Sequence, residues 1–209
     1  MQECFLDYQS DASEFPTAEE DLEAKGSGSN WRRVLLEILE TLVLAVFLFL
    51  GINTVSARIL VDGRSMEPSF VDGEYVIVNK LAYRFGEIRR GDVVIFPNPR
   101  RSTEDLIKRV IGLPGETIEI RDGMVWINGV ALDEPYIKEQ PLYERGPLVL
   151  GPDFLYVLGD NRNDSSDSHE WHDLTPLSAE QVIGKAVFVY WPINLIGVVD
   201  PLEPQLILP

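Results

Sequence analysis

Cysteine is nearly absent from this chain, with Cys4 the only one in 209 residues. A single thiol can build neither an internal disulfide framework nor a multi-cysteine metal site. Histidine is almost as scarce, and two of them exclude most zinc sites built from that residue. Basic residues are also few: 18 Lys and Arg stand against 34 Asp and Glu, a formal charge of −16 at pH 7. Proteins that bind nucleic acid carry basic stripes to neutralise phosphates, so no nucleic-acid partner is expected. No internal repeat occurs, and after Ser56 no stretch sustains the 3.6-residue apolar period of a helix.

What is present has the balance of a globular chain, 45% hydrophobic and 25% charged. The length suits one domain plus an appendage. Residues 1–30 hold eight acidic residues and one Lys, are poor in aliphatics and end in a Gly-Ser run; they read as a flexible, solvated tail. After Trp31-Arg32-Arg33 come 22 residues, Val34 to Val55, with no base and only Glu37 and Glu40 as acids. As a helix these would span about 33 Å, enough for a hydrocarbon core of roughly 30 Å. A single-span anchor over residues 31–56 is the expectation. A buried core helix is one alternative, and a cleavable signal peptide is another, because Val55-Ser56-Ala57 resembles a small-residue cleavage site. Trp31 suits an interface belt, and Arg32 and Arg33 place the tail in the cytoplasm by the positive-inside rule.

From Ile59 the texture is β. Short apolar or alternating runs recur at Tyr75–Val78, Val93–Phe96, Leu106–Ile111, Thr117–Ile120, Val125–Ile127, Phe154–Leu158 and Ala186–Tyr190. Asp122-Gly123 is a two-residue hairpin signal and Asn128-Gly129 a second tight turn; Gly151-Pro152 and Pro176 mark loops. One mainly antiparallel β-domain over residues 57–209 is therefore expected. Its last stretch, NLIGVVDPLEPQLILP, is apolar but broken by Pro201 and Pro204, and could be a sheet edge or a membrane-touching tail.

Three clusters could carry chemistry. Ser65, in Gly63-Arg64-Ser65-Met66-Glu67-Pro68, is either a plain turn residue or a nucleophile in need of a base. Both histidines sit together in one polar loop, so no Ser-His-Asp arrangement suggests itself. A lysine kept neutral by apolar burial is the other way to activate a hydroxyl. Lys108 lies between aliphatics in Leu106-Ile107-Lys108-Arg109-Val110-Ile111. In a strand it shares a face with Leu106 and Val110, while Arg109 points the other way. It could face a dry pocket or be a solvated lysine on an amphipathic edge. The third cluster, Gly159 to His169, is dense in hydrogen-bonding side chains and could be only a polar loop. A metal site from His169 and His172 with Asp167 or Asp173 has weak support, and no metal is expected.

The order and combination of these segments settle the reading. An anchor, then GRSMEPSF, GDVVIFPNP, KRVIGLPGETIEI and GDNRNDSSDSH, resembles bacterial type I signal peptidase, a family of Ser-Lys membrane peptidases. The resemblance runs from about Trp31 to Pro192, and the last motif is its most specific part. It implies a β-rich fold shared with self-cleaving repressors, held outside the plasma membrane by one span, and cleavage of signal peptides after small residues without any cofactor. It implies preproteins, the lipid membrane and the secretion translocon as partners. It also implies that Ser65 is the nucleophile and Lys108 the neutral general base. Ser165 would orient the Lys108 amine. Asp160 and Asp167 would brace the loop, with Arg109 in support, and Met66 would shape the site. Two departures stand out. Gly63 occupies a position where one branch has an oxyanion-binding Ser, leaving that task to backbone N–H groups such as that of Ser65. His169 stands where many members carry the Arg that partners Asp167, a shorter group that can be neutral at pH 7. A catalytically inactive β-domain binding secreted proteins is the alternative. A self-cleaving repressor is disfavoured by an N-terminal region with no DNA-binding pattern.

Overall fold

The computed structural model describes residues 30–171, 176–200, 202 and 204–207. The tail expected over residues 1–30 lies outside them except for Asn30, which opens helix α1 (Asn30–Val55). This helix is 26 residues long, exposed along its whole length, and long and apolar enough to cross a membrane. The chain divides into two units, residues 1–46 and 47–209, a division that falls within α1.

Thirteen strands follow among the described residues, with only one further α-helix, α2 (Ala82–Phe85). They are β1 (Ser56–Leu60), β2 (Tyr75–Asn79), β3 (Val93–Asn98), β4 (Arg101–Gly112), β5 (Thr117–Arg121), β6 (Met124–Ile127), β7 (Val130–Asp133), β8 (Arg145–Val149), β9 (Phe154–Leu158), β10 (Leu177–Ser178), β11 (Gly184–Trp191), β12 (Gly197–Val198) and β13 (Gln205–Leu206). The larger sheet runs β1-β2-β11-β3-β4-β9-β10, with β12 added to β11; the smaller runs β13-β7-β6-β5-β8. Neighbouring strands in both sheets are antiparallel.

Local chemistry explains the hairpins. Asp122 and Gly123 (φ 54° and 71°) and Asn128 and Gly129 (φ 52° and 81°) take the left-handed conformations of tight two-residue turns. The strands β5 and β6 alternate buried and half-buried residues, which turns Ile118, Ile120, Val125 and Ile127 onto one face. That face packs with Ile111 of β4 and Tyr156 and Leu158 of β9, so the small sheet shares a core with the middle of the large one. A second core joins Val61, Met66 and Phe70, just beyond β1, to Val93, Ile95 and Ile107. It brings the end of an edge strand against β4, four places away in the strand order. Within the closing apolar segment two short stretches join the sheets: β12 pairs with β11 and β13 with β7.

Candidate active site

The turn carrying Ser65 is closed at its neck and pinned from below. Val61 N–H donates to the Glu74 carbonyl at 2.8 Å and Gly73 N–H to that of Val61 at 2.9 Å. Gly63 has φ +97°, a conformation that disfavours any side chain, and its N–H donates to Asp72 Oδ1 at 2.8 Å. Met66 and Phe70 are buried in the core on either side of Pro68, so the residues after Ser65 anchor the turn while Ser65 itself stays half-buried. The Ser65 N–H has no acceptor among the described residues.

Lys108 reaches this turn from β4, where it pairs with Val94 of β3. It is 2% exposed. Its Nζ lies 2.6 Å from Ser65 Oγ and donates to the Ile107 carbonyl at 2.9 Å. Loss of hydration on burial pushes the amine down to about 8, while Asp167 and Asp160 pull the other way. The same strand holds Arg109, whose guanidinium takes Asp160 in a two-pronged ion pair at 2.6 and 2.8 Å, both groups buried.

The loop after β9 packs directly on the Ser65 turn. A Cβ placed on Gly159 would lie 2.3 Å from both the Ser65 carbonyl oxygen and Ser165 Oγ, so only glycine fits. Asn161 donates from its N–H to the Ser65 carbonyl and from its side chain to that of Arg64, each at 3.0 Å. Asp167 is the hub of the loop. Its Oδ2 accepts from Gly159 N–H at 2.8 Å and Ser165 Oγ–H at 2.5 Å, and its Oδ1 lies 2.7 Å from His169 Nδ1. The His169 ring is stacked on Tyr143, centroids 3.9 Å apart.

Thus Ser65, Lys108, Gly63, Met66, Arg109, Asp160, Asp167 and Ser165 converge. One expected contact differs. The Ser165 hydroxyl goes to the Asp167 carboxylate, a charged and therefore stronger acceptor than an amine, and the Lys108 amine is held by Ser65 and the Ile107 carbonyl. His172 and Asp173 lie outside the described residues; among those described, no group of His, Cys, Asp and Glu could hold a metal. Sequence reasoning missed Asn161, Glu134, Tyr136 and Arg162, all at or beside the loop. Asn161 and Arg162 sat inside the quoted motif, but nothing in the sequence set Glu134 and Tyr136 apart. Chemically, a hydroxyl touching a buried amine of lowered basicity, beside an unused backbone N–H, is equipped for acyl transfer.

Comparison with known proteins gives the family. The family model described as signal peptidase, peptidase S26, matches residues 33–191. A signal peptidase I of Leptolyngbya laminosa is 42% identical over 176 residues, covering 80% of this chain and 85% of that protein. A probable signal peptidase I-2 of Synechocystis is 40% identical over 169 residues, covering 78% and 76%. A crystal structure of a signal peptidase I from Enterococcus faecalis is 32% identical, with a TM-score of 0.43 over 48% of this chain and 97% of that one.

Proposed function

Because the chain belongs to the S26 signal peptidase family and is a serine endopeptidase that cleaves signal peptides, we propose that Ser65 is its nucleophile and Lys108 its general base. The observation that carries this is the 2.6 Å approach of a buried lysine amine to a serine hydroxyl. Neutral Lys108 accepts the Ser65 proton as Oγ attacks the scissile carbonyl. The oxyanion that forms is met by the Ser65 N–H, and Gly63 leaves the oxyanion hole to backbone donors. Lys108 then gives its proton to the leaving amine, which departs as the new N-terminus of the mature protein. Water, deprotonated by the same amine, hydrolyses the acyl-enzyme.

The substrate is a preprotein whose cleavage segment adds to a sheet edge through main-chain hydrogen bonds, with small side chains selected by shallow pockets. Ser65 follows the last residue of α1 by ten positions, suiting a scissile bond just outside a bilayer. Arg32 and Arg33 orient the helix with its N-terminus in the cytoplasm and residues from Ser56 onward outside. The secretion translocon, which delivers such substrates, is the expected neighbour.

Cleavage of a preprotein bearing an Ala-x-Ala site tests the dyad, using detergent-solubilised full-length protein and sequencing the product's N-terminus. Ser65→Ala and Lys108→Met should each lower kcat by about 10⁴-fold or more. The base acts unprotonated, so wild-type activity should rise about tenfold per pH unit below about 8 and level off above it. Activity surviving Lys108→Met, or a flat profile through that range, would reject Lys108 as the base.

A further inference from the structure

Four buried side chains that the reaction does not use form one network beside the site. Arg162, from the loop after β9, grips Glu134, which follows β7 of the small sheet: Nη1 and Nη2 each lie 2.7 Å from a different carboxylate oxygen. The third arm of Arg162, its Nε–H, donates to the Gly159 carbonyl at 3.1 Å. Tyr136 donates its hydroxyl to Glu134 Oε1 at 2.7 Å, and the Arg109 guanidinium lies 4.2 Å above the Tyr136 ring. The same segment also bonds the loop through Lys138 N–H, which donates to the Asp160 carbonyl at 3.0 Å, and the Lys138 amine donates to Glu67 Oε2 in the Ser65 turn at 2.7 Å. A strip of five residues, 134–138, therefore touches the loop at 160 and 162, reaches 159 through Arg162, and touches β4 at the residue next to Lys108.

We infer that Glu134 and Tyr136 are positioning residues for the Ser65–Lys108 pair, acting through Arg162 and Arg109; this rests on the dyad reading above. A buried ion pair adds little net stability over an apolar pair of the same volume. What a planar fork adds is direction, because two parallel bonds fix distance and angle together. The fixed object is Gly159, which has no room for a Cβ between the Ser65 carbonyl and Ser165. Gly159 N–H in turn holds Asp167, the hub for Ser165 and His169. On the other side, Tyr136 supports the guanidinium that carries Asp160. The charged and titratable groups around Lys108 are Asp160 and Asp167 from the loop, Arg109 beside it on β4 and Ser65 from the turn, with His169 bonded to Asp167 and Arg162 to the Gly159 carbonyl further out. Loosening the strip would let water reach Lys108, and its amine would return toward the ordinary lysine range.

Two variants of the full-length protein separate positioning from simple support. Tyr136→Phe keeps the ring under Arg109 and removes only the bond to Glu134. The double variant Glu134→Leu with Arg162→Met replaces the ion pair by apolar side chains of similar size and removes the fork together with the bond to the Gly159 carbonyl. The expected results are kcat about tenfold lower in the first and about 100-fold lower in the second, KM within about twofold in both, and little change in Tm for the double variant. The acid limb of the kcat profile should move up by about half a pH unit. Wild-type kcat and an unmoved limb, whatever happens to Tm, would overturn the inference, as would a rise in KM alone. If the double variant does not fold, Tyr136→Phe decides by the same reading. A wild-type enzyme with no acid limb would instead sink the dyad assignment itself, so the two failures are distinguishable.

Discussion

At the scale of single residues, the tension lies in Lys108. The fold removes its amine from water and lowers its basicity to about 8, from an ordinary value of 10.5. A folded-state pKa below the unfolded one means that the unfolded chain binds the extra proton, so burial of this group costs stability at low pH. That cost, about 3 kcal/mol from the size of the shift, is fully present below about pH 8 and gone above about 10.5. Lys108→Met, which carries no charge, should therefore be more stable than wild type at pH 7, with the gap closing as pH rises. Denaturant melts of both proteins across pH 6–11 check this, and a gap that is absent or independent of pH would contradict it. The lysine was visible in the sequence only as a charge among aliphatics, since a solvated edge strand has the same pattern. Burial distinguishes the two, and burial depends on β3 and β9 flanking β4.

At the scale of elements, the site is a junction of three pieces: the turn after β1, the middle of β4 and the loop after β9. The Arg109–Asp160 pair fastens the last two, with both side chains shut off from water. Asp160→Asn would leave a buried guanidinium facing a neutral amide, and should cost about 3–5 kcal/mol. Its thermal melt should show a correspondingly lower Tm, and an unchanged Tm would mean that the loop is held elsewhere. Several elements were legible from composition, including β5, β6 and β9, whose alternating or apolar runs are bounded by turn residues. Strand β8, Arg-Gly-Pro-Leu-Val, was not, because Gly and Pro speak against a strand. It forms at the edge of the small sheet, where a missing proline N–H is tolerated, and its partner β5 supplies the order. The 12-residue β4 likewise outruns its apolar stretch, since Asp105 and Arg101 pair with Pro97 and Asn98 of β3 at either end of its polar part.

For the whole molecule, the long helix differs from the β-rich domain in that none of its residues is buried. A helix with none of its residues buried in protein, yet apolar through its middle and long enough to span a bilayer, would gain stability where lipid replaces water. Phe47→Arg, in that middle, should weaken insertion by about 2.5–3.5 kcal/mol. Carbonate washing of membranes should then release more of the variant than of wild type, and equal retention would argue against a spanning helix. The amino-acid sequence alone determined the apolar span, the β character of the rest, the hairpin turns and the four motifs in order, because each depends on composition or on neighbours a few residues apart. Only the tertiary structure decided that Ser65 meets Lys108 across 43 positions, that Ser165 serves Asp167, and that, just beyond β7 of the second sheet, Glu134 reaches the loop and Tyr136 reaches Arg109 of β4. Those contacts arise from how two sheets share a core, and local sequence carries no record of which distant strand will lie alongside.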